Sequence, residues 1–156
     1  MRIHVCAVGR LRRGPERELF DDYLMRFGRV GRGLGLGPAA LHEVEARRGG
    51  GAAEEAGLLS RVIPKGAVVC LLDERGQELS SPDLAARIAR WRDSGKGDLA
   101  FVIGGADGLT GSFRSQSDFM LSFGPMVWPH MLVRVMLSEQ LFRAASILAG
   151  TPYHRA

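Results

Sequence analysis

The apolar positions of this chain alternate between short unbroken runs and longer stretches of helical spacing. Residues 2–9 (RIHVCAVG), 67–72 (AVVCLL), 99–103 (LAFVI) and 119–123 (FMLSF) are runs of the kind that buried parallel strands require, and 41–46 is a weaker one. Behind Pro15, which suits a first helical turn, Leu19, Phe20, Tyr23, Leu24 and Phe27 recur at helical spacing and predict a helix over 15–28. A second helix is predicted over 52–62. Ser81 as N-cap, Pro82 and Asp83 open a third, whose Leu84, Ile88 and Trp91 share one face. Residues 112–117 make a short helix or turn, and glycine- and arginine-bearing loops fill 28–37 and 47–51. The third strand is expected to stop at Leu72, with Asp73 to Gly76 as its exit loop. Strands alternating with helices, undivided by any repeat or linker, predict one α/β domain over 1–156 with a mostly parallel sheet flanked by helices.

The last helix, 131–148, departs from this amphipathic pattern. Met131, Leu132, Val133, Val135, Met136, Leu137, Leu141, Phe142, Ile147 and Leu148 cover too much of its circumference for one core, so a second copy of the chain is expected to cover the rest. Its polar residues pair one turn apart, Arg134 with Ser138 and Glu139 with Arg143. It follows a loop, 124–129, stiffened by Pro125 and Pro129.

Charge adds a polarity that the apolar pattern lacks. Residues 1–48 carry ten Lys or Arg against six Asp or Glu, while the remainder is balanced, so the formal charge of +4 is N-terminal. Arg10, Arg12, Arg13 and Arg17, then Arg26, Arg29 and Arg32, then Arg47 and Arg48 form three loose clusters of the residue best suited to phosphate. A solvated surface and a polyanion partner both fit this pattern. Cys6 and Cys70 lie inside apolar runs without a CxxC or Cys/His cluster, which predicts buried, reduced thiols, no metal and a cytoplasmic protein. No segment offers the roughly 18 apolar residues of a membrane span or the core of a signal peptide, so no membrane association is expected.

Candidate chemistry lies at three strand ends, because ligands of parallel α/β sheets bind beyond the carboxyl ends of the strands. These are Leu72 with Asp73, the glycine-rich run 104–108, and the loop 124–129. The chain has no GxGxxG, no GxxxxGK[ST] phosphate loop, no HExxH and no GxSxG elbow. His4 and His42 fall in predicted strands and read as structural. For His130, between a proline and the apolar helix, a helix-start hydrogen bond and a ligand role both stay open. The tail sets Tyr153, His154 and Arg155 side by side beyond a helix stop at Gly150, an unusual density of chemistry for a terminus.

Several of these runs together resemble one family. They are 103–108 (IGGADG), Trp128-Pro129-His130 with 132–135 (LVRV), 138–144 (SEQLFRA), and Pro152 through Arg155 (PYHR). They are similar to the SPOUT-class methyltransferases that methylate N3 of a pseudouridine in bacterial large-subunit ribosomal RNA. The resemblance spans essentially the whole chain, strongest over 99–155 and weakest over 28–64. It implies a C-terminal trefoil knot, a homodimer formed through the terminal helix, and S-adenosylmethionine bound by Leu72, Gly104, Gly105, Gly124, Pro125, Met126, Val127, Trp128 and Pro129. It also implies large-subunit ribosomal RNA as partner, within the ribosome, and a tail that reaches the cofactor of the other subunit. There Tyr153 would stack or hydrogen-bond, His154 handle the proton, and Arg155 meet phosphate or developing charge. Glu139 and Arg134 would orient the site, a place for Arg134 at the dimer interface remaining open. Two departures stand out: Ala156 follows Arg155 where an acidic residue is expected, and 28–51 is unusually rich in glycine and arginine. The alternatives are a non-catalytic RNA-binding or ribosome assembly factor of the same fold, and a related methyltransferase acting on another nucleotide or on a ribose hydroxyl.

Overall fold

A computed structural model describes residues 1–155; Ala156, the last residue of the predicted tail, lies outside the described residues. The chain runs β1 (Arg2–Val8), α1 (Pro15–Gly31), β2 (Ala39–Val44), α2 (Gly51–Val62), β3 (Val68–Glu78), α3 (Ser81–Asp93), β4 (Asp98–Ile103), α4 (Gly111–Ser115), β5 (Phe119–Ser122) and α5 (His130–Leu148). The strands form one parallel sheet in the order β2-β1-β4-β3-β5. Each continuous apolar run serves two cores, because alternate side chains point to opposite faces. Ile3, Val5, Leu99, Phe101, Val68 and Cys70 pack with Phe20 and Phe27 of α1, Leu84 and Ile88 of α3, and Leu137 and Leu141 of α5. On the other face Cys6, Val8, Ala100, Val102 and Leu71 meet Leu59 of α2 and Phe113 of α4. Cys6 and Cys70 are free and buried, as the sequence predicts, and burial pushes the Cys6 thiol up to about 12.

Three boundaries differ from expectation. Helix α1 continues past Gly28 to Gly31 and ends in a short 3-10 turn, Arg32–Leu34. Buried Phe27 and Leu36 hold this segment in the core, and a side chain at Gly31 would stand 2.7 Å from the Leu36 carbonyl oxygen. Ser80 caps α3, its hydroxyl accepting the Asp83 N–H at 3.2 Å. Ser81 donates instead to Gln140 Oε1 on α5 at 2.7 Å, tying the two helices together. Strand β3 does not end at Leu72: after an irregular Asp73 to Gly76 it rejoins β5, pairing Gln77 with Leu121 and Glu78 with Ser122.

Helix α5 packs on α1 and α3 with one side, burying Leu137, Leu141, Phe142, Ala144 and Ala145. Its other side leaves Met131 and Leu132 each 40% exposed, beside half-buried Val135 and Met136. Arg134 is not on that side. Its side chain is wholly buried and spans to the ends of β1 and β2, donating to the Val8 carbonyl at 2.6 Å and to Glu43 Oε1 at 3.1 Å. The same Glu43 oxygen accepts the Leu11 N–H at 2.6 Å, so one carboxylate joins α5, β2 and the β1–α1 loop.

Candidate active site

The ends of β3, β4 and β5 open onto a cleft of about 340 Å³. Leu72, Ile103, Leu121 and Val133 give it an apolar lining; Asp73, Glu74, Arg75, Asp107 and Arg114 bring charge to it. Arg114 pairs with Asp73 at 3.4 Å. Gly104 and Gly105 form a wall where the backbone itself is the lining. A side chain at Gly105 would come within 2.8 Å of the Glu55 carboxylate behind it. Burial, then the neighbouring Asp107, raise the pKa of that carboxyl, while the Gly105 N–H hydrogen bond opposes the rise. Gly124, Met126, Val127 and Trp128 close the cleft from the α5 side. Pro125 and Pro129 bracket that loop without lining the cleft, and Pro129 stands at the N-cap of α5. Seven of the nine positions expected around a cofactor are thus brought together.

His130, the first residue of α5, also lines the cleft. Its Nε2 lies 3.8 Å from the point where Gly9 would carry a Cβ, and Arg134 Nη2 lies 3.7 Å from the same point. Gly9 has φ of +83°, a left-handed conformation that glycine adopts without strain, and it begins the loop bearing Arg10, Arg12 and Arg13. These three arginines are exposed, as are Arg47 and Arg48 beyond the parallel neighbour β2. Both arginine loops therefore leave the same edge of the sheet as the cleft.

The tail forms a separate constellation. The Tyr153 hydroxyl donates to Glu139 Oε1 at 3.0 Å, and Arg143 donates to the same oxygen through Nη2 at 2.6 Å and Nε at 2.9 Å. The Tyr153 ring centroid lies 4.4 Å from that of Phe142, and the Arg143 guanidinium lies over the Tyr153 ring, 4.8 Å from its centroid. Burial, then the bond to Glu139, push the Tyr153 phenol up to about 12, which keeps it a donor. Arg143 Nη1 meets His154 Nδ1 at 3.3 Å. A guanidinium N–H can only donate, so this bond takes the Nδ1 lone pair and leaves the ring proton on Nε2. Arg155 is exposed. About 20 Å of helix at 1.5 Å per residue separate His130 from Arg143, so one chain does not bring its tail to its own cleft. A groove of about 550 Å³ shares Leu121, Phe123 and Gly124 with the cleft and runs past Val135 and Met136 to Glu139.

A family model described as "Predicted SPOUT methyltransferase" matches residues 1–154. The chain belongs to the SPOUT methyltransferase family. Among its relatives, proteins of Dinoroseobacter shibae and Roseobacter denitrificans are 65% and 66% identical over 155 residues, covering 99% of each chain. Both carry the name ribosomal RNA large subunit methyltransferase H. A probable methylase family protein of Haemophilus influenzae superposes with a TM-score of 0.50 at 10% identity, covering 99% of this chain and 70% of that one, a likeness of fold.

Within this SPOUT chain, Asp73 and Asp107 line the cleft at the strand ends where the sequence placed candidate chemistry, whereas sequence reasoning missed Glu74, Arg75 and Arg114 as cleft residues. For Glu74 and Arg75 the signal was adjacency to Leu72 and Asp73; Arg114 lies in α4 and carried no such local signal. Arg134 was foreseen as orienting the site or as lying at a dimer interface; its burial against Glu43 and Val8 places it inside the protomer. His4 and His42 are structural: His4 Nδ1 meets His42 Nε2 at 3.0 Å and His4 Nε2 meets Asp98 at 2.8 Å. Among the described residues no helix is long and apolar enough to cross a membrane.

Proposed function

We propose that this chain is an S-adenosylmethionine-dependent methyltransferase that acts, as a homodimer in the cytoplasm, on N3 of a pseudouridine in large-subunit ribosomal RNA within the ribosome. The observation that carries the reading is the placement of the cleft at the three strand ends that hold the family's motifs, in a chain 65% identical over 155 residues to a protein named ribosomal RNA large subunit methyltransferase H. S-adenosylmethionine combines an apolar adenine with a cationic sulfonium and a charged methionine end. The cleft supplies a matching mixture, with apolar Leu72, Ile103 and Leu121 inside and carboxylates of Asp73, Glu74 and Asp107 around them. Leu72, Gly104, Gly105 and the 124–129 loop would hold the cofactor, the last stretch belonging to the knot expected of the family. When bound, it supplies a methyl group already activated by the sulfonium.

The protein's part is then alignment, charge stabilisation and removal of the imide proton. The tail is preassembled for the second of these. Glu139 fixes Tyr153 and Arg143, and Arg143 fixes the His154 tautomer, so His154 Nε2 and Arg155, beside the anchored Tyr153 ring, present donors to a pyrimidine oxygen as it gains negative charge. The separation of tail and cleft along α5, with an apolar groove between them, supports a site completed by the partner's tail. The arginine loops at the cleft edge suit the RNA backbone. Incubating the purified dimer with ribosomes and methyl-labelled cofactor, followed by nucleoside mass spectrometry, tests this: 3-methylpseudouridine is expected. Label on another base or a ribose oxygen would replace the substrate assignment, and RNA binding without label would favour an assembly factor.

A further inference from the structure

Removal of the N3 proton needs an acceptor, and the tail offers none at His154, whose Nδ1 lone pair is engaged by Arg143. Among the described residues, His4 and His42 are bonded to each other, and His4 also to Asp98, on strands β1, β2 and β4 away from the cleft. His130 differs from all three. It makes no hydrogen bond among the described residues, is half-buried, and stands in the cleft wall between the 124–129 loop and the arginine-bearing β1–α1 loop. His130 thus stands on the side of the cleft next to Gly9, the first residue of the arginine-bearing loop.

We propose that His130 is the catalytic base of the transfer, accepting the N3 proton of the target ring as the N3–methyl bond forms. This rests on the reading of the chain as a pseudouridine-N3 methyltransferase. In the step the N3–H bond breaks and its electron pair becomes the new N3–carbon bond. The methyl group's bond to sulfur breaks with its pair kept by sulfur, and the proton passes to the imidazole and then to water. The surroundings favour the unprotonated ring: burial, then the charge of Arg134 one turn along, hold the His130 pKa below its ordinary 6.5. Glu43 from β2 is turned onto Arg134, and Asp73, Glu74, Arg75, Asp107 and Arg114 are the other charged groups of the cleft. A ring with its lone pair free at neutral pH is what a general base requires. The adjacent guanidinium then disfavours retention of the proton, which promotes its release to solvent.

The test uses full-length His130→Ala and His130→Gln dimers on ribosomes, in single turnover. Cofactor affinity by calorimetry and the melting temperature are expected to match wild type, while the His130 ring titrates below the ordinary imidazole range in NMR spectra of wild type. Methyl transfer at neutral pH is expected to fall by about 100- to 10,000-fold in both. The residual rate should climb with pH beyond the point where wild type levels off, as the imide ionises by itself, and added imidazole should restore turnover to His130→Ala but not to His130→Gln, whose side chain fills the space. Folded, cofactor-binding variants with the wild-type rate and pH profile would overturn the proposal. So would a loss that neither imidazole nor raised pH relieves, which would mark a structural role. Wild-type protein that forms no methylated pseudouridine would instead overturn the reading on which it rests, and the proposal with it.

Discussion

Replacing Arg134 by methionine tests whether the buried guanidinium fastens α5 to the ends of β1 and β2. The side chain is 0% exposed and gives two charge-assisted hydrogen bonds, to Val8 and Glu43. Methionine keeps most of the apolar volume but strands the Val8 carbonyl and leaves Glu43 with the Leu11 N–H alone. Breaking a buried ion pair by removing one partner costs about 3–5 kcal/mol. Here the lower end applies, because Glu43 keeps 20% of its side chain exposed and can rehydrate, and because Arg134 Nε is already buried without a partner. A loss of about 3 kcal/mol, at roughly 2–4 °C per kcal/mol for a chain of this size, lowers the melting temperature by about 6–12 °C. Urea titration and calorimetry would measure it. Adding Glu43→Gln should cost much less than it does in wild type, since the carboxylate no longer has its cation. A melting temperature unchanged in Arg134→Met, or full additivity in the double variant, would refute the argument.

Two further outcomes follow from the same geometry. Burial, then His4, hold the His42 pKa below its ordinary 6.5, so below that value the unfolded chain takes up the proton more readily than the native one. The stability this ring contributes is therefore present above pH 6.5 and is lost as pH falls through the depressed native value; His42→Gln should flatten that part of the stability profile, as urea titrations at successive pH values would read. Removing the exposed Arg12 and Arg13 together should weaken RNA binding and reduce the slope of log affinity against log salt by roughly two, an effect filter binding over a salt series can resolve.

How far the sequence reached is set by which interactions are local. The strands at 67–72 and 99–103 were legible because parallel strands buried on both faces need uninterrupted apolar residues, and the helix at 81–93 because its proline and acidic first turn are local signals. The cap moved by one residue because Ser81 found a partner on α5, a contact no local rule contains. The return of β3 to β5 after Asp73–Gly76 depends likewise on a neighbour about 45 residues away, beyond the reach of turn rules. The apolar circumference of α5 correctly announced unpartnered surface at Met131 and Leu132, but periodicity could not reveal that Arg134 points inward, since its acceptors are 91 and 126 residues earlier. At the site, glycines 104 and 105 and the Trp128 loop were found as strand-end motifs. The Glu139–Tyr153–Arg143–His154 network was visible as residue types at the tail, whereas its distance from the cleft required the folded helix.

The central claim is that each working site joins the cleft of one subunit to the tail of another, and complementation measures it directly. Gly105→Trp drives a side chain into the Glu55 carboxylate and so displaces the glycine wall of the cleft, leaving the tail intact; Glu139→Ala dismantles the Tyr153 and Arg143 anchorage and leaves the cleft intact. Each homodimer should be nearly inactive on ribosomes. Unfolded together and refolded as a mixture, half the dimers should be mixed and each should hold one intact site, restoring about a quarter of wild-type activity. A mixture as inactive as its parents, with mixed dimers demonstrated by mass spectrometry, would contradict the account and require cleft and tail to work within one chain.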